Sequence, residues 1–125
     1  MLKWSRVKDV AIWVVTLLLA FMSFRSGVMK MPGVPGSQFW MRDFQRWGYP
    51  GWFRLAVGIA EIVSAVFVVV PQLASYGAGI FAVVMVGAIF THATHAEWSR
   101  LPLNLILLAL SLALCFARRS ILLKK

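Results

Sequence analysis

Four long apolar runs dominate this sequence and strongly limit what it can fold into. They cover about residues 10–29, 52–70, 73–95 and 102–117. About 20 helical residues, rising ~1.5 Å each, cross the ~30 Å hydrocarbon core of a bilayer. The fourth run is the shortest and reaches across with Leu101 and the start of the tail. The runs predict an all-α membrane protein in which residues 1–125 form one four-transmembrane-helix bundle.

The composition supports a membrane protein over a soluble one. The chain is 61% hydrophobic and 14% charged, whereas about a quarter of a typical soluble domain is charged. A soluble chain this short could not bury so much apolar surface in one core. The first run follows a basic start, as in a secretory signal peptide, but no A-x-A-like cleavage site follows. We therefore expect a retained first helix.

The segment between the first two runs predicts a short amphipathic helix. Pro and Gly at positions 32–36 end the preceding helix. Residues 37–47 then carry three aromatic side chains at i, i+4 and i+7: Trp40, Phe44 and Trp47. Ser37 is placed to cap the start, and Gly48 to end the helix. We expect this helix to lie at the membrane surface and to act as a lid over the bundle.

The distribution of basic residues argues for cytoplasmic termini and against nucleic-acid binding. The net charge is +9, but the positive residues flank the apolar runs instead of forming a basic face on a soluble fold. Four spans place both termini on one side, with these residues: Lys3, Arg6, Lys8, Arg118, Arg119, Lys124 and Lys125. The other side carries fewer: Lys30, Arg42, Arg46, Arg54 and Arg100, with Arg25 nearby. This bias predicts that the side with the termini is cytoplasmic.

One set of polar residues of the spans falls in the half away from the termini. They are Arg25, Lys30, Arg54, Glu61, Thr91, His92, His95 and Asn104. Intramembrane ionisable residues usually face the bundle interior and mark function. We therefore expect a polar pocket in the outer half of the bilayer. Recurring small residues (Ala56, Ala60 and Ser64, then Ala74, Ala78 and Ala82) favour close packing of the second and third spans.

Glu61 is the central residue of this polar set. A lone carboxyl in an apolar bundle would be driven to its neutral form, but a neighbouring arginine can keep it charged. Arg25 is the expected partner, with Arg54 as the alternative. Arg54 is also consistent with snorkelling to the headgroups, and for Lys30 taken alone snorkelling is the favoured interpretation. A Glu–Arg pair that only fixes helix packing remains an alternative to a binding site.

His92 and His95 lie three residues apart on one helix face. Together with Glu97 or Glu61 they could hold a metal. Histidines are also common near a membrane interface, and we favour an interfacial or hydrogen-bonding role over a metal site or proton transfer. Cys115, the single cysteine, excludes an internal disulfide or a dithiol pair.

Three segments resemble the DoxX-like family. They are Arg25 followed by S-G-V-M-K (26–30), W-G-Y-P (47–50) with Phe53, Arg54, Gly58 and Glu61, and Pro71, Gly77 and Ala78 with V-M-V-G-A-I-F-T-H (84–92). The resemblance covers about residues 17–117 and implies a four-helix membrane bundle in a bacterial inner membrane. It points to Arg25, Lys30, Tyr49, Glu61 and His92 as functional positions. The family is named for subunits of a thiosulfate:quinone oxidoreductase, and more distant relatives are membrane chaperones.

Three functions are compatible with these observations. The first is binding of a lipophilic molecule such as a quinone or lipid, as a redox-associated subunit, with a quinone the suggested cofactor. The candidate ligand-binding residues are Arg25, Lys30, Tyr49, Arg54, Glu61, His92 and His95. The second is an assembly factor or chaperone-like subunit without a ligand, and the third is a small transporter. The sequence contains no haem, flavin or nucleotide motif that would indicate a stand-alone enzyme. Association with a redox or other membrane protein, or with further copies of the same chain, remains open.

Overall fold

The computed structural model describes residues 4–119, and within them the chain is all-helical. Its α-helices are α1 (Trp4–Val28), α2 (Gln38–Trp47), α3 (Gly51–Val68), α4 (Ala74–Thr94) and α5 (Leu101–Arg118). A short 3₁₀ turn, Trp98–Arg100, precedes α5. Four of these helices, all but α2, are long and apolar enough to span a membrane. The prediction of four spans with a short helix between the first two is confirmed.

The helix ends agree with the sequence signals except at two places. α1 begins six residues before the predicted Val10, because Arg6, Lys8 and Asp9 do not break a helix and can continue it into the headgroup region. Ser37 precedes α2, but its side chain makes no capping hydrogen bond, so that part of the prediction was wrong. Gly48 ends α2 with a φ of 83°, a left-handed conformation that favours glycine. Lys3, Lys124 and Lys125, which entered the charge argument, lie outside the described residues.

The four long helices pack in the order α1, α3, α4, α5, with α5 also touching α1. The start of α1, the α3–α4 turn and the end of α5 share one end of the bundle, here called the terminal end. Ser75 at the start of α4 donates a hydrogen bond to the Cys115 carbonyl near the end of α5, at 2.9 Å. The opposite end, called the α2 end, carries α2 and the turn between α4 and α5.

Small residues set the two closest helix crossings. A Cβ built on Gly27 of α1 would lie 2.6 Å from the Gly58 carbonyl oxygen of α3. A Cβ on Gly77 of α4 would lie 2.9 Å from the Ser64 carbonyl, and the Ser64 hydroxyl donates to the Gly77 carbonyl at 2.8 Å. Glycine lets these backbones meet, as is common for membrane helices. The α4 residues Ala74, Ala78 and Ala82 are buried as predicted, whereas of the α3 set only Ser64 is buried.

The apolar core lies between the four long helices, and the outer surface is apolar as well. Buried core residues come from all four helices: Leu19, Val68, Ala78, Phe81, Met85, Leu107 and Leu114. Large apolar side chains are also exposed along the spans, among them Phe21, Val66, Val83, Ile106 and Phe116. A water-facing surface of this kind would be an aggregation hazard. The outer surface is therefore suited to lipid, as the composition predicted.

Candidate functional site

A cavity of about 890 Å³ occupies the half of the bundle nearer the α2 end. Its α3 lining runs from Trp52 to Glu61 and its α4 lining from Phe81 to His92, so it begins beyond the tight α3–α4 crossing at Ser64. Most of the lining is apolar or aromatic. Val83 is 72% exposed and lines the cavity, so the cavity communicates with the lipid-facing side of the bundle near α4.

A buried ion pair lies on one wall of the cavity. Lys30 Nζ is 2.8 Å from Glu61 Oε1, and the two side chains are 4% and 3% exposed. Ser26 joins them, because it accepts a hydrogen bond from Lys30 at 2.7 Å and donates to Glu61 Oε2 at 3.1 Å. Lys30 Nζ also lies 4.0 Å from the ring centre of Trp40, a cation–π distance. Lys30 follows α1 and Glu61 lies within α3, so the pair joins two helices.

The expected Arg25–Glu61 pair was wrong. Arg25 is exposed on α1, and it has no ion pair among residues 4–119. Lys30 takes its place because the chain turns back after Val28 and carries the lysine toward α3. The snorkelling interpretation of Lys30 was therefore also wrong. Arg25 does line the cavity, at the edge of the polar wall.

The other predicted site residues separate into two groups. Tyr49 and His92 line the cavity, and the Tyr49 hydroxyl is 2.7 Å from Thr91 Oγ1. Arg54 and His95 are not part of the lining. Arg54 Nε instead donates to the Lys30 carbonyl at 3.1 Å, and His95 Nδ1 lies 2.8 Å from the Thr91 carbonyl oxygen. Arg54 therefore stabilises the turn after α1, and His95 lies in contact with the last turn of α4.

Helix α2 covers the cavity with its aromatic face. Trp40, Phe44 and Trp47 all line the cavity, and the last two are buried. Trp47 and Phe44 pack with centroids 5.2 Å apart, and Trp47 lies 5.5 Å from the His92 ring. The amphipathic face therefore packs on the protein, which is the geometry of a lid.

A network of charged residues, here called the latch, holds α2 against the turn between α4 and α5. Asp43 is buried and accepts hydrogen bonds from Arg46 and, at 3.0 Å, from Arg100. Arg46 also donates to Glu97, as does Trp47 Nε1 at 3.2 Å. His92 Nδ1 lies 2.7 Å from the other Glu97 oxygen. The latch therefore connects the lid to α4 and α5 through two carboxylates.

The latch fixes the charge of Glu97 and the tautomer of His92. Partial burial acts to raise the pKa of Glu97 above its ordinary 4.5, but hydrogen bonds from Arg46, His92 and Trp47 outweigh it and lower that pKa to about 2. An ionised carboxylate only accepts hydrogen bonds, so His92 carries a proton on Nδ1. In the neutral imidazole, Nε2 is then a hydrogen-bond acceptor.

Asn104 is a cavity-lining residue with an unpaired amide nitrogen. It lies in the first turn of α5 and lines both the main cavity and a neighbouring one of about 290 Å³. Its Nδ2 is buried and has no hydrogen-bond partner among the described residues. A buried amide nearly always has a hydrogen-bond partner, so the missing partner of this nitrogen is unusual.

Sequence reasoning did not find the latch. Glu97 was weighed only as a metal ligand, and Asp43, Arg46 and Arg100 had no assigned contact. One signal was available: the chain has four acidic residues against thirteen Lys and Arg, so each acid in a polar connection has several basic candidates. Within residues 4–119 no group of three or more His, Cys, Asp or Glu is placed to hold a metal ion.

Comparison with known proteins gives one match. The model of the DoxX-like family matches residues 14–114, which is most of the chain. No curated protein and no solved structure shows a match.

Proposed function

We propose that this chain binds a lipophilic small molecule, such as a quinone or a lipid, in the cavity beneath α2. The chain belongs to the DoxX-like family and is a multi-pass membrane protein. The observation that carries the proposal is the cavity itself, with its apolar walls and few polar groups. Ligand sites in proteins have volumes of ≈ 300–1,000 Å³ and this same balance of lining. The cavity, at about 890 Å³, falls within that range.

The surroundings of the cavity favour a ligand that comes from the membrane. Exposed lining residues of α4, Val83 and Phe90, face the side where lipid lies. At the α2 end, in contrast, the aromatic face of α2 and the latch cover the cavity. A molecule with an apolar body could enter from the bilayer and place its polar group among Arg25, Tyr49 and His92 without crossing water.

Mass spectrometry of organic extracts tests the proposal. The protein is purified in a mild detergent, and its extract is compared with that of Ala60→Phe, which fills part of the cavity. Ala113→Phe is the matched control, because Ala113 is exposed on α5 and does not line the cavity. We expect a quinone or one defined lipid near one per chain in the parent and in Ala113→Phe, and its loss in Ala60→Phe.

Equal amounts of bulk phospholipid in all three proteins would contradict ligand binding. That outcome would favour the second function, an assembly factor or chaperone-like subunit in which the polar residues only stabilise the fold. The complete pairing of Lys30, Glu61 and Ser26 is the observation that such a role would explain. Copurification of a redox enzyme together with the ligand would support a redox-associated subunit.

We further propose that the protein lies in the cell inner membrane with both termini in the cytoplasm. The support is the excess of Lys and Arg on the side of the termini. Alkaline-phosphatase fusions test this orientation, because the enzyme is active only after export. A fusion after Arg119 should be inactive, and one within residues 31–36 should be active. The reverse pattern would invert the orientation.

A further inference from the structure

The polar atoms on the two walls of the cavity differ in whether they are already paired. On the α1–α3 wall, Lys30 Nζ bonds Glu61 and Ser26, and both Glu61 oxygens accept from Ser26. The α4–α5 wall carries Asn104 Nδ2, which is buried without a partner among the described residues. It also carries His92, whose Nδ1 is held by Glu97. Arg25 of α1 also lines the cavity without an ion pair among the described residues, but it is exposed. The buried polar groups that have capacity left for a ligand therefore lie on the α4–α5 wall.

An unpaired buried amide is costly and points to a partner from outside the protein. Leaving a buried donor unsatisfied costs the full desolvation of the group, and a fold without a reason to keep it would be more stable with leucine there. Asn104 Nδ2 therefore has a donor capacity that no described residue uses. Asn104 and His92 line both the main cavity and the smaller one, together with Trp40 and Leu103.

We propose that Asn104 and His92 bind the polar head of the ligand, and that the Lys30–Glu61 pair is a structural element of the opposite wall. Asn104 Nδ2 donates a hydrogen bond to an acceptor oxygen of the ligand. His92 Nε2, which is an acceptor in the neutral imidazole with its proton on Nδ1, receives one from a hydroxyl. The ligand class is an uncharged lipophilic molecule whose head carries carbonyl or hydroxyl oxygens. The inference rests on the proposed function, because it specifies the head-group end of the same cavity.

Two probes of similar shape separate the acceptor oxygen from the apolar body. 2-Decyl-1,4-benzoquinone carries two carbonyl oxygens, and decylbenzene has the same carbon skeleton without them. Their dissociation constants are measured by calorimetry on the full chain in detergent, for the parent, for Asn104→Leu and for Leu112→Ala. Leu112 is exposed on α5 away from the cavity and serves as the control.

We expect Asn104→Leu to weaken binding of the benzoquinone about tenfold, which corresponds to ≈ 1.4 kcal/mol, and to leave decylbenzene binding unchanged or tighter. The ligand-free variant should unfold at an equal or higher temperature than the parent, because an unpaired buried amide has been removed. A structural asparagine would give the opposite, a lower unfolding temperature. Leu112→Ala should change neither dissociation constant.

Two outcomes would overturn the inference, and they can be told apart. If the parent binds both probes but Asn104→Leu binds the benzoquinone as tightly as before, the head group is not at the α4–α5 wall. Loss of benzoquinone binding in the double variant Lys30→Met, Glu61→Leu would then place it at the opposite wall. If the parent binds neither probe, the proposed ligand binding itself fails, and the inference fails with it.

Discussion

Lys30 Nζ and Glu61 Oε1 lie 2.8 Å apart with both side chains buried, close to the point where α1 and α3 cross. Gly27 and Gly58, three residues before each partner, are the residues in contact at that crossing. A buried charge without its partner is strongly destabilising, whereas replacement of both charges by apolar residues is often neutral. The pair and the crossing therefore depend on each other, since only a close approach of the two backbones brings the charges together.

Breaking this pair on one side should destabilise the protein much more than removing it entirely. Lys30→Met leaves Glu61 buried and unpaired, and we expect a loss of about 3–5 kcal/mol in the free energy of unfolding. The double variant Lys30→Met, Glu61→Leu should recover most of that loss. Unfolding by sodium dodecyl sulfate in mixed micelles measures all three proteins.

Arg25→Met is the control for that series. Arg25 is exposed and was the partner that the sequence favoured, and its replacement should change the unfolding free energy by less than about 0.5 kcal/mol. If Arg25→Met is as destabilising as Lys30→Met, then the pair described here is not the one that forms in the membrane.

The crossing of α1 and α3 should not tolerate a methyl group. In Gly27→Ala the new Cβ would lie 2.6 Å from the Gly58 carbonyl oxygen, and overpacking of this kind costs about 1–3 kcal/mol. Gly79→Ala is the matched control, because a Cβ there meets nothing within 4 Å, and alanine favours a helix by ≈ 0.8–1.0 kcal/mol over glycine. The unfolding temperature in detergent should fall for Gly27→Ala and stay level or rise for Gly79→Ala. Equal shifts in both variants would show that the crossing is looser than described.

The helices could be predicted because their signals are local. Apolar runs of sufficient length predict the spans without knowledge of the packing. Residues such as Pro71 after α3 and the left-handed Gly48 after α2 predict where helices end. The start of α1 was placed too late because charged residues mark the end of the apolar run and not the end of the helix. Arg6 and Lys8 are as compatible with a helix as with a loop.

The pairing of side chains could not be predicted, because it depends on how the connections fold. Arg25 and Lys30 are five residues apart, and one turn of the chain after Val28 decides which of them reaches Glu61. The contacts of Glu97 with Arg46 and Trp47 likewise join residues 51 and 50 positions apart. No periodicity within one helix contains this information, although the scarcity of acidic residues shows that each is a candidate for an ion pair.

Stability should depend on pH through Glu97. Its pKa is about 2 in the folded protein and 4.5 ordinarily, so folding favours the ionised form. The stabilisation is present in full above pH 4.5 and is lost as the pH falls from 4.5 toward 2. We expect the parent to unfold at a higher temperature than Glu97→Gln above pH 5, and this gap to narrow steadily below pH 4.5.

A nonionic detergent suits this measurement, because the micelle itself does not titrate. Glu97→Gln cannot ionise, so the difference between the two proteins isolates this carboxyl from the other acids. A gap that remains constant down to pH 2.5 would contradict the assigned contacts with Arg46, His92 and Trp47.

Loosening the latch should open α2 without unfolding the bundle. Arg46 bridges Asp43 and Glu97, and it is half exposed, so its contacts are partly screened by water. Arg46→Gln should therefore lower the free energy of local opening and accelerate amide hydrogen exchange in residues 38–47 severalfold. Arg42→Gln is the control on the same helix, since Arg42 is exposed and forms no ion pair with any other described residue.

Exchange in α4 should stay unchanged in both variants, because the latch holds only the lid. Faster exchange throughout the chain in Arg46→Gln would show that α2 and the four spans open together, and the lid would then be part of the bundle and not a separate element.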